Sequence, residues 1–64
     1  MSQHPFVEVR RDVRGGQPII RGTRVTTEEA LCFVRAEKGN VARVAKVYML
    51  DLDALQDAIL FEQE

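Results

Sequence analysis

The sequence predicts an α+β domain: a short N-terminal β-hairpin followed by a three-helix, helix-turn-helix-like bundle. Three observations carry that prediction. The first 25 residues hold short β-branched runs interrupted by three of the chain's four glycines, Gly15, Gly16 and Gly22. Thr26 is followed three residues later by Glu29, the spacing of a helix capping box. Beyond it, apolar residues recur at helical spacing, punctuated by Gly39, Asn40 and Asp51.

Each element follows from its residues. Phe6 to Arg10 alternates as a strand does, with Val7 and Val9 on one side and Phe6, Glu8 and Arg10 on the other. Asp12 to Gly16 reads as a turn, and Pro18-Ile19-Ile20 as a second strand that resumes near Arg24-Val25. Pro18 suits a strand's first residue because it offers no N–H to the ladder. So small a hairpin is not stable alone and must pack on helices or on its copy in a second chain.

The first helix is expected over Thr27 to Lys38, burying Ala30, Leu31, Phe33 and Val34, with Gly39 as a left-handed cap. Arg35 and Lys38 are expected to stay outside. Asn40 suits the cap of a second helix, whose inner face carries Val41, Val44, Ala45 and Tyr48. Asp51 caps a third, with Leu52, Leu55, Ala58 and Ile59 inside and an acidic outer stripe. The helices join through Tyr48-Met49-Leu50, with Met49 where a helix-turn-helix often has glycine.

With 64 residues, one domain spanning 1–64 is expected, the hairpin and arginine-rich turn over 1–25 and the helices over 26–64. A chain this short buries only about 60% of its unfolded surface. Self-association or a larger partner is the expected remedy, and an intertwined homodimer one way to supply it. The 45% hydrophobic content excludes a disordered chain. A single cysteine, Cys32, suits a reducing compartment, and Met-Ser-Gln-His-Pro lacks the basic start and apolar core of a signal peptide. A cytoplasmic protein without membrane, cofactor or small-molecule substrate is the expectation.

The net charge of −1 hides a gradient. Residues 1–25 carry Arg10, Arg11, Arg14, Arg21 and Arg24 against Glu8 and Asp12, or +3. Residues 26–50 carry +1, and residues 51–64, with Asp51, Asp53, Asp57, Glu62 and Glu64, carry −5. A third helix so acidic is ill suited to DNA, since each carboxylate–phosphate pair at about 8 Å costs roughly 0.5 kcal/mol before screening. Any DNA contact is therefore expected from Arg10, Arg11, Arg14, Arg21, Thr23 and Arg24, joined by Arg43 and Lys46, with Gly15, Gly16, Pro18 and Gly22 shaping the turn. Solvated faces with no partner are the plainer alternative.

The run Gly16-Gln17-Pro18-Ile19-Ile20-Arg21-Gly22-Thr23-Arg24-Val25 resembles the G-x-P-V/I-I-x-G-T-R-I/V signature of a small bacterial family called domain of unknown function 433. The likeness covers most of the chain, including a closing Ala58-Ile59-Leu60-Phe61. It departs at Arg35 to Asn40, which replaces a commoner Gly-x-Ser/Thr-x-Glu-Glu stretch, and in lacking a proline before the last helix. The resemblance implies an antitoxin-like protein, a nuclease-type toxin partner of the PIN class, DNA-binding regulation by analogy, and dimers. Arg21 or Arg24 could then form bidentate bonds to the carboxylates of such a nuclease. Alternatively, the acidic last fourteen residues could fill its RNA groove. The competing reading is structural: Arg24 staples the turn to Glu28 or Glu29.

Catalysis by the chain is not expected. His4, the only histidine, reads as a solvated residue in a frayed terminus. Cys32 reads as a half-buried small hydrophobe, and Tyr48 as a core residue whose hydroxyl meets a backbone acceptor. One cysteine and one histidine cannot build a zinc site. The alternative to the regulator is a protein-interaction module on the same scaffold that does not bind DNA.

Overall fold

A computed structural model describes residues 3–64; Met1 and Ser2 of the N-terminal run lie outside the described residues. The order is β1 (Val7–Val9), a single turn at Arg14–Gly16, β2 (Pro18–Ile20), α1 (Thr27–Ala36), α2 (Val41–Val47) and α3 (Leu52–Gln63). This is the predicted α+β arrangement, a two-stranded antiparallel hairpin followed by three helices. The hairpin closes within one chain, with Val7 opposite Ile20, Glu8 opposite Ile19 and Val9 opposite Pro18.

The connection between the strands is tighter than a generic loop. Arg14, Gly15 and Gly16 all have positive φ, at 50°, 66° and 84°. The Gly16 N–H donates to the Val13 carbonyl at 3.1 Å and the Gln17 N–H to the Arg14 carbonyl at 3.3 Å. The result is one left-handed turn, which two glycines allow because they carry no Cβ to clash. Strand β2 has the predicted bounds, but no full strand resumes after it. Ile19 bridges Thr26, and the Ile20 N–H reaches the Val25 carbonyl at 2.9 Å, leaving 21–25 as a compact loop.

The capping box forms as expected: the Glu29 N–H donates to Thr26 Oγ1 and the Thr26 N–H to Glu29 Oε1, both at 3.0 Å. Helix α1 stops at Ala36 rather than Lys38, because Lys38 and Gly39 both turn left-handed and the Gly39 N–H bonds back to the Val34 carbonyl at 2.8 Å. Asn40 caps α2 by accepting from the Arg43 N–H, and Asp51 caps α3 by accepting from Asp53 and Ala54. The α2–α3 turn closes the same way as the end of α1. The Leu50 N–H returns to the Ala45 carbonyl at 2.8 Å, and Met49 takes φ 56° without being glycine.

Helix α3 lies against α1, α2 and both strands, so the core forms around it. Ile20, Ala30, Val34, Val44, Ala45, Ala54, Leu55 and Ala58 are buried together, with Phe6, Val7, Val25, Phe33, Val41, Leu50 and Ile59 packed around them. The Cα radius of gyration is 10.9 Å, against about 11 Å for a compact chain of this length. Several expected core residues sit further out. Leu31 and Phe33 are half-buried, Leu52 and Tyr48 are exposed, and Tyr48 stacks on Phe33 at 4.2 Å. Cys32 is exposed. The reason is packing order: two helices and a hairpin already cover α3, so Leu31, Phe33 and Tyr48 on the flanks of α1 and α2, and Leu52 on the uncovered face of α3, have no further element to pack under.

Candidate functional site

The hairpin end of the molecule carries the arginines, and the structure sorts them into two groups. Arg14 is stapled. Its Nη1 donates to Glu29 Oε1 at 2.8 Å and to the Arg24 carbonyl at 3.0 Å, while its Nη2 donates to Glu29 Oε2 at 3.0 Å. The left-handed turn aims this side chain across at the start of α1. The inward staple expected of Arg24 is therefore made by Arg14, with Arg24 contributing only its carbonyl. Glu29 joins the capping box to the staple, and its carboxyl is held below its ordinary 4.5, first by the Arg14 guanidinium and then by the Thr26 N–H.

Arg11, Arg21 and Arg24 are exposed, and no ion pair involves them among the described residues. Arg10 only approaches Asp12, at 3.9 Å, with both side chains in solvent. Arg24 and Arg10 line an open cleft of about 310 Å³ with Glu8, Val13, Gly22 and Thr23, over the buried Ile19. Arg21 lies outside that lining. Two guanidiniums from separate segments thus border one cleft, a pairing of Arg24 with Arg10 rather than with Arg21.

The other predicted residues divide similarly. The Thr23 hydroxyl is used internally, donating to the Ile20 carbonyl at 2.8 Å and accepting from the Val25 N–H at 3.0 Å. It shapes the loop that presents Arg24. Gly22 has φ 81° at the tip, where the Thr23 N–H closes onto the Ile20 carbonyl at 3.0 Å. Arg43 pairs with Glu37 at 2.8 Å, and Lys46 is exposed on α2 with no ion pair among the described residues. Among the described residues no group of three or more His, Cys, Asp or Glu side chains could hold a metal ion. No helix among them is long and apolar enough to cross a membrane.

The acidic C-terminal stretch is mostly committed to the fold. Asp51 caps α3, and Glu62 Oε2 accepts from the Thr27 hydroxyl at 2.6 Å. Asp57 faces the N-terminal segment, accepting from the Phe6 N–H at 3.0 Å and lying 2.9 Å from His4 Nδ1. Glu64 lies 2.7 Å from His4 Nε2, and the ring meets Phe61 edge-on at 5.4 Å. His4 is therefore not a solvated residue in a frayed terminus; its side chain is 12% exposed. With a carboxylate at each ring nitrogen, both bonds need the imidazolium, and the Glu64 and then the Asp57 contact raise its pKa above 6.5.

Because the folded value is raised, the clamp contributes fully below 6.5 and is lost as pH rises through the folded value. Thermal stability should accordingly fall between neutral and mildly alkaline pH, and His4→Ala should flatten that slope. The same slope in wild type and variant would show that His4 does not link protonation to folding.

The fold and this site define a small α+β domain with a glycine-shaped loop that carries exposed arginines. Residues 7–61 match the family described as protein of unknown function (DUF433), and the chain belongs to that family. No curated protein and no solved structure gives a significant match.

Proposed function

We propose that the chain is an antitoxin-like regulator that binds and neutralises a nuclease-type, PIN-like partner, and that it binds operator DNA as a homodimer. The observation that supports this most is that Arg10 and Arg24 border one cleft, Arg24 with no ion pair among the described residues and Arg10 with only the 3.9 Å approach of Asp12, beside exposed Arg11 and Arg21. Exposed guanidiniums beside a pre-shaped loop favour bidentate recognition of clustered carboxylates or of phosphates. Two copies would bring eight such arginines, enough for a steep salt dependence on DNA.

Against a purified nuclease-like protein encoded beside this chain's gene, Arg10→Ala with Arg24→Ala should weaken neutralisation at least tenfold with the fold intact. Unchanged neutralisation would reject the cleft as the toxin contact. On the chain's own promoter fragment, affinity should fall steeply from 50 to 200 mM salt, and Arg21→Ala with Arg24→Ala should shallow that slope. No binding at low salt would leave the second reading, a protein-interaction module that does not bind DNA. That reading is favoured by the outer face of α3, where Leu52, Gln56 and Leu60 are exposed beside Asp53.

A further inference from the structure

Outside the arginine loop the molecule carries a projection at the start of α3 and a recess at its end, and the two match each other. The projection is the α2–α3 turn, where Val47, Tyr48, Met49 and Leu52 are all exposed. Met49 is the extreme case, 90% exposed and held at φ 56°, a left-handed conformation unfavourable for a residue with a Cβ. Met49 is therefore both strained and displayed to water. The recess is an open groove of about 510 Å³ between the end of α1, the start of α2 and the end of α3, lined by Leu31, Val34, Val41, Ile59 and Gln63 and rimmed by Arg35 and Lys38.

Helix α3 relates the two. Its exposed positions are Leu52, Asp53, Gln56, Leu60 and Gln63, a single stripe with one charge. Read from either end, the centre of that stripe is Leu52, Gln56, Leu60, so it is its own reverse. Two copies packed antiparallel about Gln56 place Leu52 on the second copy's Leu60. They also place the Gln56 amide on its counterpart, where each is both donor and acceptor. The same register puts Met49 opposite the second copy's Gln63, at the wall of the groove.

We propose that the chain forms a two-fold dimer along α3, in which Met49 of each copy enters the groove of the other. The charges agree: Asp51 and Asp53 flank the projection, and Arg35 and Lys38, with no ion pair among the described residues, rim the recess. An isologous interface needs this kind of self-complementarity. A standard interface takes about 800 Å² from each partner, roughly a sixth of the 4619 Å² this chain exposes. The proposal assigns a surface to the homodimer in the regulator reading but does not depend on a nuclease partner or on DNA.

Sedimentation equilibrium of the full chain tests it without any partner. Wild type should return twice 7.3 kDa at micromolar concentration. Met49→Asp and Leu60→Asp should each raise the dissociation constant at least tenfold while circular dichroism keeps its helical signal. Lys38→Glu should weaken the dimer, and adding Asp53→Lys should restore it. Met49→Gly separates folding from assembly: it should stabilise the monomer yet weaken association. A wild-type monomer at 100 micromolar (about the top of the test range) would overturn the proposal, as would a dimer that tolerates both aspartates. Loss of arginine-dependent DNA binding with the mass unchanged would bear on the regulator reading alone.

Discussion

Leu55→Ala should remove most of the stability of this domain. Leu55 is fully buried on α3, the helix against which α1, α2 and the hairpin all pack. Truncating a buried leucine costs about 2–5 kcal/mol, the lost transfer energy plus the cavity left where neighbours cannot collapse. A 64-residue domain has only about 3–10 kcal/mol in total. Collapse is difficult here because the residues nearest in kind are small: Ala54 and Ala58 on the same helix, Ala30 on α1 and Ala45 on α2 are all buried. Alanines have no side-chain length with which to fill a hole. Urea unfolding at one protein concentration should show the midpoint falling steeply, while Val9→Ala, on an exposed strand position, should stay within about 0.5 kcal/mol. Similar losses for the two would show that the core is not organised on α3.

The second large effect is expected at Glu29, which serves two structures at once. One carboxylate oxygen closes the capping box on the Thr26 N–H, and the same carboxylate receives both terminal nitrogens of Arg14. Glu29→Ala should cost about 1–2 kcal/mol, combining a charge-assisted bond to the backbone with a half-exposed ion pair that contributes less. Arg14→Ala leaves the capping box in place and should cost about 0.5 kcal/mol. Equal costs would mean that the reciprocal cap adds nothing. Glu29 has a lowered folded pKa, so its contribution is present above 4.5 and lost as pH falls through the folded value. The gap between wild type and Glu29→Ala should close in acid. Hydrogen exchange should also quicken at 21–26, because the Arg14 staple that fixes the Arg24 carbonyl goes with Glu29. A loosened loop would weaken presentation of Arg24 without touching the guanidinium itself.

Much of the candidate site was legible from local spacing, and the misassignments share one cause. Gly22 and Thr23 read as a turn, and a turn is what they make. Which arginine turned inward was not readable, because Arg14 meets Glu29 across fifteen positions through a left-handed turn whose direction depends on the whole loop. The outer stripe of α3 also differs from the expected acidic face. Asp57 points to Phe6 and His4, and Leu60 takes a solvent position instead. The cue available for His4 was only its position beside Pro5, which carries no information about Asp57, 53 residues later on α3.

By itself the sequence determined the parts whose causes lie within one turn of chain. The Thr26–Glu29 box, the Asn40 and Asp51 caps and the Gly39 stop follow from bonds spanning two to five residues, and the start of β2 from the N–H that Pro18 lacks. The family signature belongs to the same class, since its Gly22 and Thr23 satisfy local backbone geometry. The tertiary structure decided the long-range pairings: Arg14 with Glu29, Thr27 with Glu62, and His4 with Asp57 and Glu64. It also decided which apolar residues were left outside. Those depend on how the hairpin and two helices share the surface of α3, a matter of volume and chain path that no periodicity encodes. The arginines of the loop were visible as charge; only the fold separated Arg14, which holds the loop, from Arg10 and Arg24, which border its cleft.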